Sequence, residues 1–176
     1  GIPAGTTFAE LRAGSYHSCG LATDGILSCW GNNYFLTNIT LPTGTFVDLD
    51  LSSNSYDGCA IGTDGSLSCW GNLISYTVPA GYFTQVSVGN SQACALHDDG
   101  RAECFGGQGD NAPAGESFTQ VSVGSNHACG RQSDGTVLCW GSSNSNGQQD
   151  VPVGKTFSSV AAGSSHTCGV QEGADA

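Results

Sequence analysis

The sequence contains no methionine, few basic residues and no long apolar run, and these shortages exclude several classes of protein. Four Lys and Arg residues stand against fifteen Asp and Glu residues, which gives a formal net charge of −11. Such a charge repels nucleic-acid phosphates and anionic lipid, so we expect no nucleic-acid partner. No stretch approaches about 18 consecutive apolar residues, so no membrane span is predicted.

Catalytic signatures are also missing from the sequence. It has no Gly-x-Ser-x-Gly and no phosphate-binding loop, so we expect no enzymatic activity. The chain begins at Gly1 within a repeated pattern and without a basic, apolar leader. We interpret it as a mature or excised segment.

Glycine is abundant, at 27 of 176 residues, and serine, asparagine and threonine accompany it. No long amphipathic period of the helical kind is present. This composition favours many short strands joined by specific turns. The predicted fold class is therefore all-β.

Five copies of one pattern follow each other along the chain. Each copy begins at a phenylalanine that follows a Pro-x-Gly turn: Phe8, Phe46, Phe83, Phe118 and Phe157. A period of 35 to 39 residues indicates a repeat architecture. We predict a single repeat domain over 1–176, in which 1–7 ends a preceding repeat. The repeats lie approximately at 8–45, 46–82, 83–117, 118–156 and, incomplete, 157–176.

The fourth copy shows the unit most clearly, as a strand, a glycine corner and a hairpin bracketed by cysteines. Its hairpin turns at Ser133-Asp134-Gly135, and a three-residue loop that ends in glycine suits a type I turn with a bulge. Cys129 and Cys139 are then directly opposite each other, close enough for a cross-strand disulfide.

Eight of the nine cysteines form four such pairs with nine residues between them: Cys19/Cys29, Cys59/Cys69, Cys94/Cys104 and Cys129/Cys139. Zinc sites usually pair cysteines two to four residues apart, so this spacing favours disulfides and an extracellular or cell-surface location. Each bridge is expected to contribute roughly 2.5 to 3 kcal/mol on the chain-entropy model. Cys168 lacks a partner in its own repeat and is predicted to be unpaired or intermolecular.

Glycine ends the first strand in four copies, at Gly14, Gly89, Gly124 and Gly163. The second copy has a two-residue insertion and carries Asn54 five residues before its cysteine. Asparagine is the next best residue for a left-handed corner. We therefore interpret Asn54 as the replacement for glycine at this corner.

Variation between copies is concentrated after the aromatic-glycine pair that ends each hairpin, at 32–41, 72–78, 107–112 and 142–151. Loops on one side of a repeat array often bind ligands. The apolar residues of the first two loops are the candidate binding residues: Tyr34, Phe35, Ile39, Leu73, Ile74 and Tyr76. The alternative is that they are edge or packing residues. Asn38 begins a glycosylation sequon, which is informative for a eukaryotic source.

Metal sites have only weak support. His17, His127 and His166 occupy one repeat position, but such positions in separate sheets lie on the order of 10 Å apart, too far for shared ligation. A structural hydrogen bond is the favoured role. Asp48-x-Asp50 lacks the glycine and distal glutamate of a calcium loop. We expect no cofactor and keep calcium as a minor alternative.

The repeated G-x-x-H, D-G and C-W-G elements resemble the repeats of the regulator of chromosome condensation family. The closest copies run from Gly14 to Gly31 and from Gly124 to Gly141. The resemblance implies a β-propeller of short antiparallel blades, with four full repeats and an incomplete fifth. The short period is more similar to a secreted bacterial branch, the β-lactamase inhibitory propellers, whose blades have three strands. Paired cysteines and the acidic charge do not suit the family's nuclear and DNA-associated roles.

The repeats, the disulfides and the variable loops lead to three hypotheses about function. The first is an extracellular, non-enzymatic scaffold that binds a partner protein or cell surface through its variable loops. The second is a structural subunit that self-associates head to tail into a filament by completing the half-repeat. The third is a lectin with a sugar pocket floored by Trp30, Trp70 or Trp140, although packing between sheets is the favoured role of these rings.

Overall fold

The structure is a computed structural model that describes residues 4–32, 39–107 and 112–173. The described residues form five antiparallel sheets, four with three strands and one with two. The strands are β1 (Phe8–Ala13), β2 (His17–Ala22), β3 (Leu27–Gly31), β4 (Phe46–Leu51), β5 (Gly58–Gly62), β6 (Leu67–Trp70), β7 (Phe83–Val88), β8 (Gln92–His97), β9 (Ala102–Gly106), β10 (Gln120–Val123), β11 (Ala128–Arg131), β12 (Val137–Trp140), β13 (Phe157–Ala162) and β14 (Thr167–Gln171). A 3-10 helix, Gly71–Ser75, is the only helix in the described part of the chain.

The hairpin of each three-stranded sheet has the predicted register. Cys129 pairs with Cys139 across β11 and β12, and the other three cysteine pairs are opposite each other in the same way. The turn glycine of the fourth hairpin, Gly135, has φ +84°, the left-handed value that the bulged turn requires. Asp134 Oδ1 accepts a hydrogen bond from the Thr136 N–H and caps the turn.

All four predicted disulfides are present, and each joins the middle strand of a sheet to its third strand. Their Cα–Cα distances are 4.0 to 4.1 Å. The bridged pairs are Cys19–Cys29, Cys59–Cys69, Cys94–Cys104 and Cys129–Cys139. The spacing of nine intervening residues therefore predicted every partner correctly.

The two cysteines of a bridge have different environments, which the sequence pattern did not distinguish. The middle-strand cysteines are buried: Cys19, Cys59, Cys94 and Cys129. The third-strand cysteines are only half-buried, because the third strand is the edge of its sheet: Cys29, Cys69, Cys104 and Cys139. Both cysteines of each bridge pack against the core shared with a neighbouring sheet, so the disulfides belong to the contacts between sheets as well as to their own hairpins.

The apolar core is divided into four clusters, one between each pair of successive sheets. In the cluster between the first and second sheets, Cys19 and Leu21 contact Phe46, Leu49 and Trp70. The same positions meet at the three later junctions. The sheets are therefore stacked side by side as blades, and each blade is covered by its neighbours in sequence.

The first strands of successive blades are joined by side chains. Gln85 donates to the carbonyl of Val121 and accepts from its N–H at 2.9 Å. Gln120 makes the same pair of bonds to Val160. Since each side chain satisfies a backbone group on the next blade, these bonds fix the spacing between first strands.

The corner glycines have a different role from the one predicted. None of Gly14, Gly89, Gly124 and Gly163 has positive φ. Instead, a β-carbon on Gly89 would lie 2.0 Å from the Gly124 carbonyl oxygen, and one on Gly124 would lie 2.3 Å from that of Gly163. At Gly14, Gly89 and Gly124, glycine is needed because the backbone of the next blade lies against this corner.

The interpretation of Asn54 was therefore wrong. Ser52 holds the corner position, because its N–H bonds to the Asp57 carbonyl as the Gly14 N–H bonds to that of His17. Asn54 belongs to the insertion, and its Nδ2 donates to Ser125 Oγ at 3.1 Å, 71 residues away. One side chain thus links the second blade to the fourth, so the corners converge on a common centre.

Candidate functional site

The two ends of the blades carry different kinds of connection. The start of β2, at His17, pairs with the end of β3, at Gly31, so the β1–β2 corner lies beside the loop that follows β3. The hairpin turns and the Pro-x-Gly linkers lie at the opposite end, where the Phe46 N–H bonds to the Gly25 carbonyl. All the variable loops therefore begin on one face of the molecule, which we call the loop face.

An aromatic pair that sequence reasoning missed lies on this loop face. Tyr16 and Tyr56 immediately precede the repeated His position in the first and second blades. Their ring centroids are 4.9 Å apart, and Tyr16 is 50% exposed. Burial, followed by the charge of Tyr16 and a hydrogen bond with it, raises the pKa of Tyr56. Aligning the repeats at this position would have revealed the pair, because the later blades carry Ser91, Asn126 and Ser165 there.

A cavity of about 370 Å³ adjoins this pair. Its walls come from the loop after the first blade and from the corner, third strand and following loop of the second blade: Ile39, Thr40, Tyr56, Trp70, Gly71, Asn72 and Ile74. All seven residues are uncharged, in a chain whose net charge is −11. The volume lies within the roughly 300 to 1,000 Å³ typical of ligand pockets.

The loop after the second blade is held in place by a buried carboxylate. Asp57 is fully buried and replaces histidine at the repeated position. Its Oδ1 accepts hydrogen bonds from the N–H groups of Asn72 and Leu73, at the start of the 3-10 helix. Its Oδ2 accepts from Ser55 Oγ at 2.7 Å. The helix that presents Ile74 is thus anchored to the corner of its own blade.

The six predicted binding residues have different environments. Ile74 is 66% exposed and Tyr76 is 38% exposed, so both are available to a partner. Ile39 is half-buried against the core between the first two blades. Leu73 is fully buried between the second and third blades, so it is a packing residue and not a contact residue. Tyr34, Phe35 and the sequon residue Asn38 lie outside the described residues.

At the repeated histidine position, His17 and His127 are buried, whereas His166 is exposed. The predicted structural hydrogen bond is absent at His17, whose ring nitrogens have no partner among the described residues. His127 is fully buried, and its Nε2 lies 2.8 Å from Thr167 Oγ1 on the next blade. Burial, and then the nearby His166, lowers the pKa of His127. Burial also lowers the pKa of His17, although the Asp57 carboxylate opposes this shift. Within the described ranges, no three His, Cys, Asp or Glu side chains are grouped to hold a metal ion.

Asp48 and Asp50 are directed toward the third blade. Asp48 Oδ2 accepts from the Val86 N–H and Asp50 Oδ2 from the Val88 N–H, each at 2.8 Å. Burial raises the pKa of Asp48 to about 6, against the effect of the hydrogen bond from Val86. The pKa of Asp50 is also raised by burial. These carboxylates act as contacts between blades.

The three tryptophans are packing residues rather than open floors for a sugar. Trp70 is 1% exposed and its ring covers Gly58, where a β-carbon would lie 2.3 Å from the ring. Trp140 is 8% exposed and packs 5.5 Å from the Phe118 ring. Trp30 packs against Phe8 in the same way. Of the three tryptophans, Trp70 lines the cavity on the loop face.

Comparison with known proteins gives the class of this chain. Residues 9–35 and 118–148 match the family model of the regulator of chromosome condensation (RCC1) repeat. No curated protein sequence matches the chain. The CRINKLY WD40 ectodomain of the Arabidopsis thaliana receptor kinase ACR4 is 30% identical with a TM-score of 0.79, over 98% of this chain and 62% of that one.

Two further structures share the fold at lower identity. The entire ectodomain of the Physcomitrella patens receptor kinase CR4 is 24% identical, with a TM-score of 0.82 over 100% of this chain and 50% of that one. Prp20p from Saccharomyces cerevisiae, described with its binding to Gsp1p and histones, is 14% identical, with a TM-score of 0.73 over 98% and 58%. The chain thus spans about half to three fifths of the length of these relatives.

Stacked three-stranded blades with converging corners define the class of the molecule, a β-propeller. Two of its repeats, in residues 9–35 and 118–148, match the RCC1 repeat model. The predictions of fold class and repeat family are confirmed, whereas the particular resemblance to the bacterial branch stays a prediction. In the part of the chain that the structure describes, no helix is long and apolar enough to cross a membrane.

Proposed function

We propose that the chain is a non-enzymatic, extracellular propeller that binds a partner protein on its loop face. The observation that carries this proposal is an uncharged patch formed by the exposed Tyr16, Ile74 and Tyr76 and the half-buried Tyr56. Tyr56 and Ile74 also line the cavity of about 370 Å³. Tyrosine is enriched and charge is depleted at the centres of protein interfaces. We call these four residues, three tyrosines and one isoleucine, the aromatic patch.

The extent of the patch across several blades supports a protein partner. Tyr16 and Tyr56 are on neighbouring corners, while Ile74 and Tyr76 follow in the next loop, so the patch spans the first and second blades. The Tyr76 hydroxyl lies so close to Gly107 that a β-carbon there would be 2.7 Å from it, which carries the patch to the loop after the third blade. A surface shared by three blades suits a broad contact.

The disulfides and one comparison support an extracellular location. Four disulfides persist in an oxidising compartment and are rare in the cytosol. The CRINKLY propeller that is 30% identical to this chain is part of a receptor ectodomain. We infer a secreted or cell-surface setting, in which the partner is itself a secreted protein or an ectodomain.

A binding screen tests the proposal directly. The chain, labelled and made multivalent, is applied at micromolar concentration to a panel of secreted proteins and cell-surface ectodomains. We expect at least one ligand whose binding is weakened about tenfold or more by Ile74→Asp, because a buried charge at an interface centre is costly. If every ligand binds this variant as tightly as the wild type, the aromatic patch is not the binding site.

A glycan is the second candidate ligand, and the composition of the cavity is the observation in its favour. The walls combine the aromatic Tyr56 and Trp70 with the polar Thr40 and Asn72. A sugar uses such pairs for ring stacking and hydrogen bonding. A glycan array with the wild type and Tyr56→Ala distinguishes the two candidates. A signal that disappears in the variant supports a glycan ligand. If no glycan on the array binds the wild type, the protein partner is favoured.

A further inference from the structure

The third blade differs from the other three-stranded blades at two positions between its third strand and the linker that follows. One is the strand residue two before the cysteine, and the other is the linker residue before the proline. Elsewhere these positions hold leucine or valine, and each pair packs in one cluster with the third-strand cysteine: Leu27 with Leu41, Leu67 with Val78, and Val137 with Val151. In the third blade both residues are alanine, Ala102 and Ala112.

A groove of about 290 Å³ lies beside these two alanines. Residues 101–104, at the start of β9, form one wall, and linker residues 112–115 form the other. The blade lies in the middle of the chain, between other sheets on both sides in sequence. Residues 107–111 read Gly-Gln-Gly-Asp-Asn, so the intervening loop contains no aliphatic side chain that could fill the groove.

The backbone of β9 is open on the side away from the middle strand, because β9 is the edge of its sheet. The His97 N–H bonds to the Arg101 carbonyl, and from this pair the bonds between β8 and β9 alternate along the ladder. The N–H and C=O groups of Ala102 and Cys104 therefore point away from β8. No described residue bonds to them, so a further strand has donors and acceptors with which to pair.

The other face of β9 carries charges at positions that are uncharged in the first, second and fourth blades. Glu103 stands where those blades have Ser28, Ser68 and Leu138, and Arg101 stands where they have Ile26, Ser66 and Thr136. The Glu103 side chain is 40% exposed, and its carboxylate lies 3.6 Å from the Arg101 guanidinium. Asp98 and Asp99 in the adjoining turn are exposed. Carboxylates therefore outnumber the one guanidinium, which favours a basic side chain beside Glu103.

We propose that this groove binds an extended segment of a partner protein in which aliphatic and basic residues alternate. The segment adds as a fourth strand beside β9. Its aliphatic side chains lie beside Ala102 and Ala112, where other blades have leucine or valine, and its basic side chains lie on the opposite face beside Glu103. Backbone pairing gives affinity, and the groove gives specificity. The lining residues include none of the aromatic patch, so this is a second interaction surface.

The binding test uses the whole chain and a labelled, end-capped peptide with the sequence Ser-Val-Lys-Val-Lys-Ser. The control peptide, Ser-Val-Val-Lys-Lys-Ser, has the same composition and charge without the alternation. We expect saturable binding of the alternating peptide, measured by fluorescence anisotropy, to be at least about tenfold tighter, because only alternation places the two kinds of side chain on separate faces. Equal affinity would mean attraction by the net charge alone and would overturn the proposal. Absence of binding at millimolar concentration would also overturn it.

A variant of the protein tests the groove itself. Ala112→Leu gives the third blade the residue that the first blade has at this position, Leu41. Because leucine occupies the groove, the alternating peptide should bind at least about tenfold more weakly. The matched control is Ala80→Leu, at an exposed linker residue after the second blade, and it should bind the peptide as the wild type does. Unchanged affinity in Ala112→Leu would overturn the proposal. Thermal unfolding checks that both variants fold, and the peptide comparison does not depend on either of them.

A second variant tests the charge beside the groove. Glu103→Gln keeps the size of the side chain and should weaken binding of the alternating peptide about twofold to fivefold. A peptide with threonine in place of both lysines should bind the variant and the wild type equally. If the alternating peptide also binds them equally, the basic residues of the partner are not recognised here and the proposal fails. Self-association of the chain that Ala112→Leu abolishes and the peptide does not inhibit would make a second copy the occupant, which also overturns the proposal.

Discussion

Asp48 is a carboxylate at a position where the next two blades use the amides of Gln85 and Gln120. All three side chains accept a hydrogen bond from a backbone N–H of the following blade. The amide can also donate to the carbonyl of the same residue, as Gln85 does to Val121, whereas an ionised carboxylate cannot. Burial raises the pKa of Asp48 to about 6, so the charge has a cost in the folded state.

This shift predicts a dependence of stability on pH. The folded pKa lies above the ordinary 3.8, so the folded state binds a proton more tightly than the unfolded state. The contribution of Asp48 is therefore most favourable below pH 3.8 and declines as pH rises to about 6. We expect Asp48→Asn to stabilise the protein by about 1 to 2 kcal/mol at pH 7, after allowance for partial exposure.

Urea unfolding between pH 4 and pH 8 measures this effect. The control is Asp64→Asn. Hydrogen bonds from Ser66 lower the pKa of Asp64, so the contribution of Asp64 to stability has the opposite pH dependence. A loss of stability in Asp48→Asn at pH 7 would contradict the account. Asp48 was noticed in the sequence for its spacing from Asp50, but its orientation toward Val86 was not predictable, because it depends on the stacking of blades.

Asp57 gives a second prediction at the scale of a residue. Its carboxylate binds the N–H groups of Asn72 and Leu73 and the hydroxyl of Ser55. Asp57→Ala removes the acceptor for buried donors and should destabilise the protein by about 2 to 4 kcal/mol. Thermal unfolding measures the loss. Ser55→Ala, which leaves both helix N–H groups bonded, should cost about 1 kcal/mol, and an equal cost would contradict the capping role.

The hairpins show how much of an element the sequence can predict. The turn sequence and the nine-residue cysteine spacing determined the register, the left-handed Gly135 and all four disulfides, because these depend on local geometry. The unequal burial of the two cysteines in a bridge, such as Cys59 and Cys69, was not predictable, because it depends on the neighbouring blade. The corner glycines were recognised, but their role was not. Their function is a contact with the neighbouring blade, and a single repeat contains no information about the distance to the next one.

The corner yields a prediction at the scale of an element. A β-carbon at Gly89 would lie 2.0 Å from the Gly124 carbonyl oxygen, which is part of the backbone and has little freedom to move. We expect Gly89→Ala to destabilise the protein by about 2 to 4 kcal/mol. The control is Gly115→Ala, where φ is +83° and no described atom lies within 4 Å.

Gly115→Ala should cost only about 1 kcal/mol, through backbone strain alone. Denaturant unfolding of the two variants separates close packing from backbone conformation. If Gly115→Ala is the more destabilising variant, the need for a left-handed backbone conformation would explain the glycines of this fold better than the close contact between blades.

In the whole molecule, the repeat period predicted a repeat architecture, and the resemblance to the repeat family implied the propeller. The stacking of the blades explains which residues vary. Positions between blades are fixed by packing, whereas the loop face is free to carry a binding surface. The variable loops indicated that face, and Ile74 and Tyr76 lie on it. The cavity and the contact between Tyr16 and Tyr56 were not predictable, because they join two repeats through their three-dimensional arrangement.

The most direct test of the account compares two faces of the molecule against one panel of secreted proteins and ectodomains. Val153 is 98% exposed on a Pro-x-Gly linker, at the end of the blades opposite the loop face. The measurement is the binding of wild type, Ile74→Asp and Val153→Asp, which place the same charge at exposed branched apolar positions. The account predicts a ligand that binds the wild type and Val153→Asp with equal affinity and does not bind Ile74→Asp. Binding lost only in Val153→Asp, or no ligand at micromolar concentration, would contradict it.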